Sequence, residues 1–219
     1  MKSRLITPLL LAGGLALAGA ASAAPWSWTG TLADWAASAG GTGVVTDADG
    51  DMQFTLFSGS TNIPDRPGTQ YITLSEIEIG NKDYYDVSVN WGPNGWAGSG
   101  QLAYTLQILG ATNERITGAS LDSAITGDGT TSLMILRDLP GNTILDNLSS
   151  INGARDPSTG MAEFSGRSLL GVQQVFQPST TGVYQDSHAG FVVTVPEPGA
   201  MSLVGLGLFG ILVFSRRKA

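Results

Sequence analysis

An all-β fold, an antiparallel sandwich of jelly-roll-like type, is the expectation for residues 24–195, and three observations carry it. Apolar residues recur at every second position in several runs. Tyr85, Val87, Val89 and Trp91 alternate with Asp86, Ser88 and Asn90, and Leu102, Tyr104, Leu106 and Ile108 alternate with Ala103, Thr105 and Gln107. A strand turns successive side chains to opposite faces, so period two marks a half-buried strand. The runs are separated by clusters of Gly, Asn, Asp, Ser and Pro, the residues that build turns. Helical spacing is confined to 32–39 and 144–150, both short.

In chain order, strands are expected over 53–57, 71–79, 85–91, 102–108, 115–121, 132–137, 161–164, 172–176 and 191–195, enough for two packed sheets. Within 71–79 the apolar phase shifts from Ile72 and Leu74 to Ile77 and Ile79, which predicts a bulge at Ser75 and Glu76. The segment 92–100, with four glycines and Pro93, and the segment 152–160 read as long loops. Trp26, Trp28 and Trp35 are expected to cover an edge of the sandwich.

Composition narrows the chemistry. The 219 residues include no cysteine and one histidine, His188. That excludes a disulfide framework, a thiolate metal site, a cysteine nucleophile and any site needing two imidazoles from one chain. The formal net charge of −7 argues against nucleic acid, whose phosphates would repel the protein.

Both ends read as addresses. Lys2 and Arg4 precede an apolar run over 5–20 that closes on Ala21, Ser22 and Ala23, the order of a secretory signal peptide over 1–23. Cleavage is expected between Ala23 and Ala24. At the other end Pro196, Glu197 and Pro198 are followed by an almost wholly apolar stretch, 199–214, and by Arg216, Arg217 and Lys218. The prolines hold the junction extended. As a transmembrane helix the apolar stretch would reach ~24 Å, short for a bilayer but adequate for a temporary anchor. The basic tail is a stop signal that stays cytoplasmic by the positive-inside rule, leaving the body outside the inner membrane.

These C-terminal residues resemble the sorting signal of the PEP-CTERM exported bacterial proteins, over about the last 25 residues of the chain. The resemblance implies recognition by an exosortase, a membrane-embedded transpeptidase-like enzyme that cuts near Pro196, Glu197 and Pro198. It also implies a structural role at the cell surface or in the matrix, beside exopolysaccharide and biofilm. Without its two ends, the body keeps 6 basic and 17 acidic side chains, a net charge of −11. A polymer partner is then expected to be neutral, or bridged by calcium.

Four constellations within the body each admit two readings. Asp47, Asp49 and Asp51 surround Gly50, a pattern that reads first as an Asp-Gly turn and alternatively as a calcium site. Trp91 and Trp96 bracket Gly-Pro-Asn-Gly; Trp91 reads first as core, for it continues the phase of Val87 and Val89, and an exposed Trp96 alone carries no signal. The alternative is a carbohydrate-binding module whose two rings contact a glycan. His188 beside Asp186 and Ser187 reads as a solvated loop residue before the last strand, because neighbours in a chain point apart and no G-x-S-x-G elbow occurs. Glu76 and Glu78 share one strand face and read as its wet side. A glycoside hydrolase ranks last, since no acid, base and nucleophile set assembles and no catalytic residue is assigned.

Overall fold

The structure is a computed structural model that describes residues 25–66, 68–80, 82–110, 113–127, 130–138, 143–144 and 147–194. The expected signal segment and the C-terminal helix, 199–214, lie outside the described residues. Among those described, no helix is long and apolar enough to cross a membrane.

Among the described residues twelve strands are formed: β1 (Trp26–Gly30), β2 (Val44–Thr46), β3 (Met52–Leu56), β4 (Tyr71–Ile79), β5 (Lys82–Asn90), β6 (Gly100–Ile108), β7 (Arg115–Thr126), β8 (Thr131–Arg137), β9 (Leu148–Ile151), β10 (Ala162–Arg167), β11 (Leu169–Gln177) and β12 (Val183–Thr194). One helix, α1 (Leu32–Gly41), follows β1. Thr31 starts it with a capping box, its hydroxyl accepting the Asp34 amide while the Asp34 carboxylate accepts the Thr31 amide. The helix loses regular geometry at Ser38, where ψ is 153°, and Ala39 and Gly40 turn left-handed.

All pairing is antiparallel, in two six-stranded sheets ordered β1-β4-β5-β12-β7-β10 and β2-β3-β6-β11-β8-β9. From β5 to β8 the chain crosses between sheets at every step. β11 and β12 then return between strands already laid down, β11 between β6 and β8 and β12 between β5 and β7. The period-two residues meet across the interior: Phe54, Leu74, Val87, Tyr104, Leu106 and Phe191 are wholly buried. Non-polar burial of this kind contributes roughly 25 cal/mol per Å² and is the main stabilising term.

The structure departs from the sequence expectations at particular strands. The described residues of the expected helix 144–150 are not helical: 148–150 enter β9, whose Leu148 and Ser150 face inward beside β8. The last strand begins at Val183 rather than 191, so His188 sits in mid-strand and not in a preceding loop. Ser187 and Ala189 supply small inward side chains there, which hid the alternation. No bulge interrupts β4: its register with β5 runs unbroken from Tyr71 opposite Asn90 to Ile79 opposite Lys82. As a result Glu76 points into the sandwich, 6% exposed, and Ile77 and Ile79 point out, 53% and 62% exposed.

Candidate functional site

One end of the sandwich gathers carboxylates. The turn between β2 and β3 is organised by Asp47, whose Oδ1 accepts the amides of Gly50 (2.9 Å) and Asp51 (3.1 Å). Its Oδ2 accepts the Met52 amide (3.1 Å) and the Tyr85 hydroxyl (3.2 Å). A carboxylate offers about four lone-pair sites, and here each has a donor. The Asp-Gly turn is therefore the role of this segment, and Asp47 has no oxygen to spare for a cation. Asp49 is exposed on the turn. Among the described residues no group of three or more His, Cys, Asp or Glu is placed to hold a metal ion. A calcium titration tests the alternative at Asp47, Asp49 and Asp51. Millimolar calcium followed by a chelator is expected to leave the melting temperature within ~1 °C, whereas a site occupied well above its Kd would raise it by several degrees.

Glu76 enters the same end from β4, directly opposite Tyr85 on β5. Burial, then the negative charges of Asp47, Asp83 and Asp49, push its carboxyl up to about 7, with a hydrogen bond to Tyr85 opposing them. Burial and the neighbouring Asp47 carboxylate likewise push Asp51 up to about 7. Burial and the Glu78 charge raise Asp83 as well. Glu76 and Glu78 are therefore not a wet face, as their alternation implied, but part of a crowded acidic end.

The opposite end is aromatic. Trp91 and Trp96 are 1% and 6% exposed, with ring centroids 4.4 Å apart. Phe176 meets both edge-on, at 5.4 and 5.8 Å, and Tyr184 closes the group 5.2 Å from Phe176. Two backbone hydrogen bonds of 2.8 Å between Trp96 and Tyr184 fasten the loop to β12. The glycines make this inward fold feasible. Gly92 has φ +75° and its absent Cβ would fall 2.3 Å from the Thr69 carbonyl oxygen; Gly95 has φ +61° and would meet the Val183 side chain at the same distance. The glycan contact considered for Trp91 and Trp96 is corrected accordingly: both rings are core, and no face is open to a sugar. Trp26 and Trp28 do lie along the β1 edge, packed on Phe54 and Trp35, while Trp35 itself is fully buried.

On the outer face of the first sheet, His188 places Nδ1 3.0 Å from Asp86 Oδ2 and Nε2 3.9 Å from Asp186 Oδ1. The Asp86 hydrogen bond is the main cause of its raised pKa, against the opposing effect of burial. Ser187 projects the other way and bonds Ser123 Oγ at 3.1 Å inside the sandwich, so the Asp-Ser-His run does not converge. Beside His188 a groove crosses the sheet in two joined hollows of about 520 and 240 Å³, with Tyr84, Arg155 and Met161 lining both. The sequence reading missed it. Its only local trace is the outward phase of β5, where Lys82, Tyr84, Asp86 and Ser88 carry polar side chains; the rest comes from β7, β12 and the 152–161 segment.

Pro196, Glu197, Pro198, Arg216, Arg217 and Lys218 lie outside the described residues, as do Ala23 and Ala24. What the structure shows is their point of departure. β12 ends at Thr194, paired with Lys82 and Arg115 at the acidic end. A family model described as the PEP-CTERM protein-sorting motif matches residues 194–218. No curated protein and no solved structure matches the chain. The last strand of the sandwich thus passes directly into a PEP-CTERM sorting signal, which supports export as an exosortase substrate with a C-terminal membrane-anchored stage before processing.

Proposed function

We propose that the body is a non-catalytic structural protein of the cell surface or extracellular matrix, delivered there when an exosortase acts near Pro196, Glu197 and Pro198, with exopolysaccharide as its surroundings. The observation that carries this reading is the sorting motif joined directly to β12. The body supports it in two further ways. Its net charge of −11 keeps it soluble outside the membrane. Ser187, next to His188 in the chain, projects into the sandwich, so the Asp186, Ser187 and His188 run makes no catalytic set. The order of β5–β12, with the last two strands returning between the earlier ones, supports a jelly roll.

Intact mass tests the route. Protein recovered from the culture supernatant and cell surface is expected to begin at Ala24 and to end near Pro196, Glu197 and Pro198 when the host has its exosortase. Without the enzyme it is expected to keep Arg216 and Arg217. Replacing Pro196, Glu197 and Pro198 by alanine is expected to abolish surface release; release at the normal level from that variant overturns the reading.

A further inference from the structure

The outer face of the first sheet carries charges of both signs around a hollow. Three cross-strand rows define it: Ile77, Tyr84, Val192 and Gly118; Ser75, Asp86, Gly190 and Ser120; Thr73, Ser88, His188 and Asp122. Its centre is kept low by glycine. A Cβ at Gly190 would fall 2.8 Å from Ser120 Oγ, and one at Gly118 would fall 2.8 Å from a Val192 methyl. Met161 and Arg155 rise beside this floor, on the segment after β9. That segment is tied to β7 by reciprocal Leu121–Asp156 backbone hydrogen bonds of 2.7 and 2.8 Å. The wall is therefore fixed rather than a free loop, and the track between it and Tyr84 runs ~20 Å along β12 from Thr194 to His188.

We propose that this track binds an uncharged polysaccharide chain. It rests on the extracellular reading above and gives it a contact surface. Charge selects the ligand class. The body has six cationic side chains and one histidine against seventeen carboxylates, yet Lys82, Arg155 and His188 line this groove together with Asp86, Asp122 and Glu163. The groove is near neutral on an acidic protein, so an anionic polymer is repelled by the surroundings. The polar groups alternate between donors (Lys82, Arg155) and acceptors (Asp86, Asp122), with Ser and Thr hydroxyls that are both. A sugar hydroxyl also donates and accepts, so that mixture satisfies it in either sense. Tyr84, half-buried between the two hollows, adds an aromatic body with a polar tip, suited to a ligand that is apolar on its ring face and polar at its rim.

Affinity electrophoresis tests the proposal with the processed protein recovered from its host. Native gels are cast with dextran, hydroxyethylcellulose or galactomannan, and with alginate as the anionic comparison. Retardation is expected in at least one neutral gel and not in alginate. Tyr84→Ala is expected to weaken it about tenfold or more and Tyr84→Phe to keep it. Arg155→Ala, on an exposed side chain whose loss leaves the core intact, is expected to weaken it too. Free mobility in all three neutral gels, or retardation that survives both Tyr84→Ala and Arg155→Ala, overturns the groove. Correct processing with free mobility sinks the groove alone; retardation of a chain that still carries Arg216 and Arg217 sinks the sorting route alone.

Discussion

Trp96→Ala is expected to destabilise the sandwich by about 3–5 kcal/mol, the range for deleting a large aromatic from a packed core. In a domain of this size that lowers the melting temperature by ~10 °C or more. The reason is local. Trp96 contacts Trp91, Phe176 and Tyr184 in one cluster, with the Trp91 and Trp96 centroids only 4.4 Å apart. The loop that carries it is fastened at Trp96 itself, so collapse into the void would have to break the paired hydrogen bonds to Tyr184. A ring that served only to stack on a sugar would behave otherwise: its removal would cost binding and leave stability within about 0.5 kcal/mol. Thermal melting of the purified variant separates the two. An unchanged melting temperature would return Trp96 to the surface and reopen the aromatic loop as a ligand site.

What could be read from the sequence, and what could not, follows from how far each feature reaches along the chain. The β5 and β6 strands were legible because burial on one face leaves a local alternation that needs no partner to be seen. The sorting signal was legible for a related reason: Pro196, Glu197, Pro198, the apolar stretch and the basic tail are a linear string. Three short or irregular strands escaped. β2 has only three residues and β9 four, too few for a period, and β1 hides behind a tryptophan-rich sequence. β4 misled in a more instructive way. Counting apolar residues put Ile77 and Ile79 inside, but the ladder to β5 holds the opposite phase, and the inward place goes to Glu76, where Tyr85 and a bound proton lessen the penalty. Ile77 is then left facing outward beside Tyr84, at the margin of the groove. The groove itself was invisible because its members are distributed over β4, β5, β7, β12 and the 152–161 segment, and only the returning strand β12 brings them together.

The inward Glu76 has a measurable consequence: the protein is expected to melt higher at pH 5.5 than at pH 8. The sign follows from proton uptake. A carboxyl held at about 7 in the folded state and at 4.5 in the unfolded chain binds its proton more tightly when folded. Its stabilising contribution is full below about pH 4.5 and is lost as pH rises through about 7. Asp51 acts in the same direction through burial and the neighbouring Asp47 charge, and Asp83 does so through burial and the nearby Glu78 charge. His188, raised by Asp86, also loses its contribution as pH rises through its folded value. Asp34, lowered by its bonds to Thr31, opposes them, since its contribution is present above the ordinary carboxylate range and lost as pH falls. It is a single exposed cap and does not reverse the sum. Discounted for solvent screening, the Glu76 share is about 1–2 kcal/mol, or roughly 3–6 °C between the two pH values. General charge repulsion on an acidic body would give the same trend, so the test needs a local variant. Glu76→Gln is an isostere of the protonated acid and is expected to raise the melting temperature at pH 8 while leaving it nearly unchanged at pH 5.5. Glu163→Gln removes one exposed charge of the same sign and is expected to move neither by more than about 0.5 kcal/mol. Equal gains from the two variants at pH 8 would assign the pH dependence to net charge alone and remove Glu76 from the account of the acidic end.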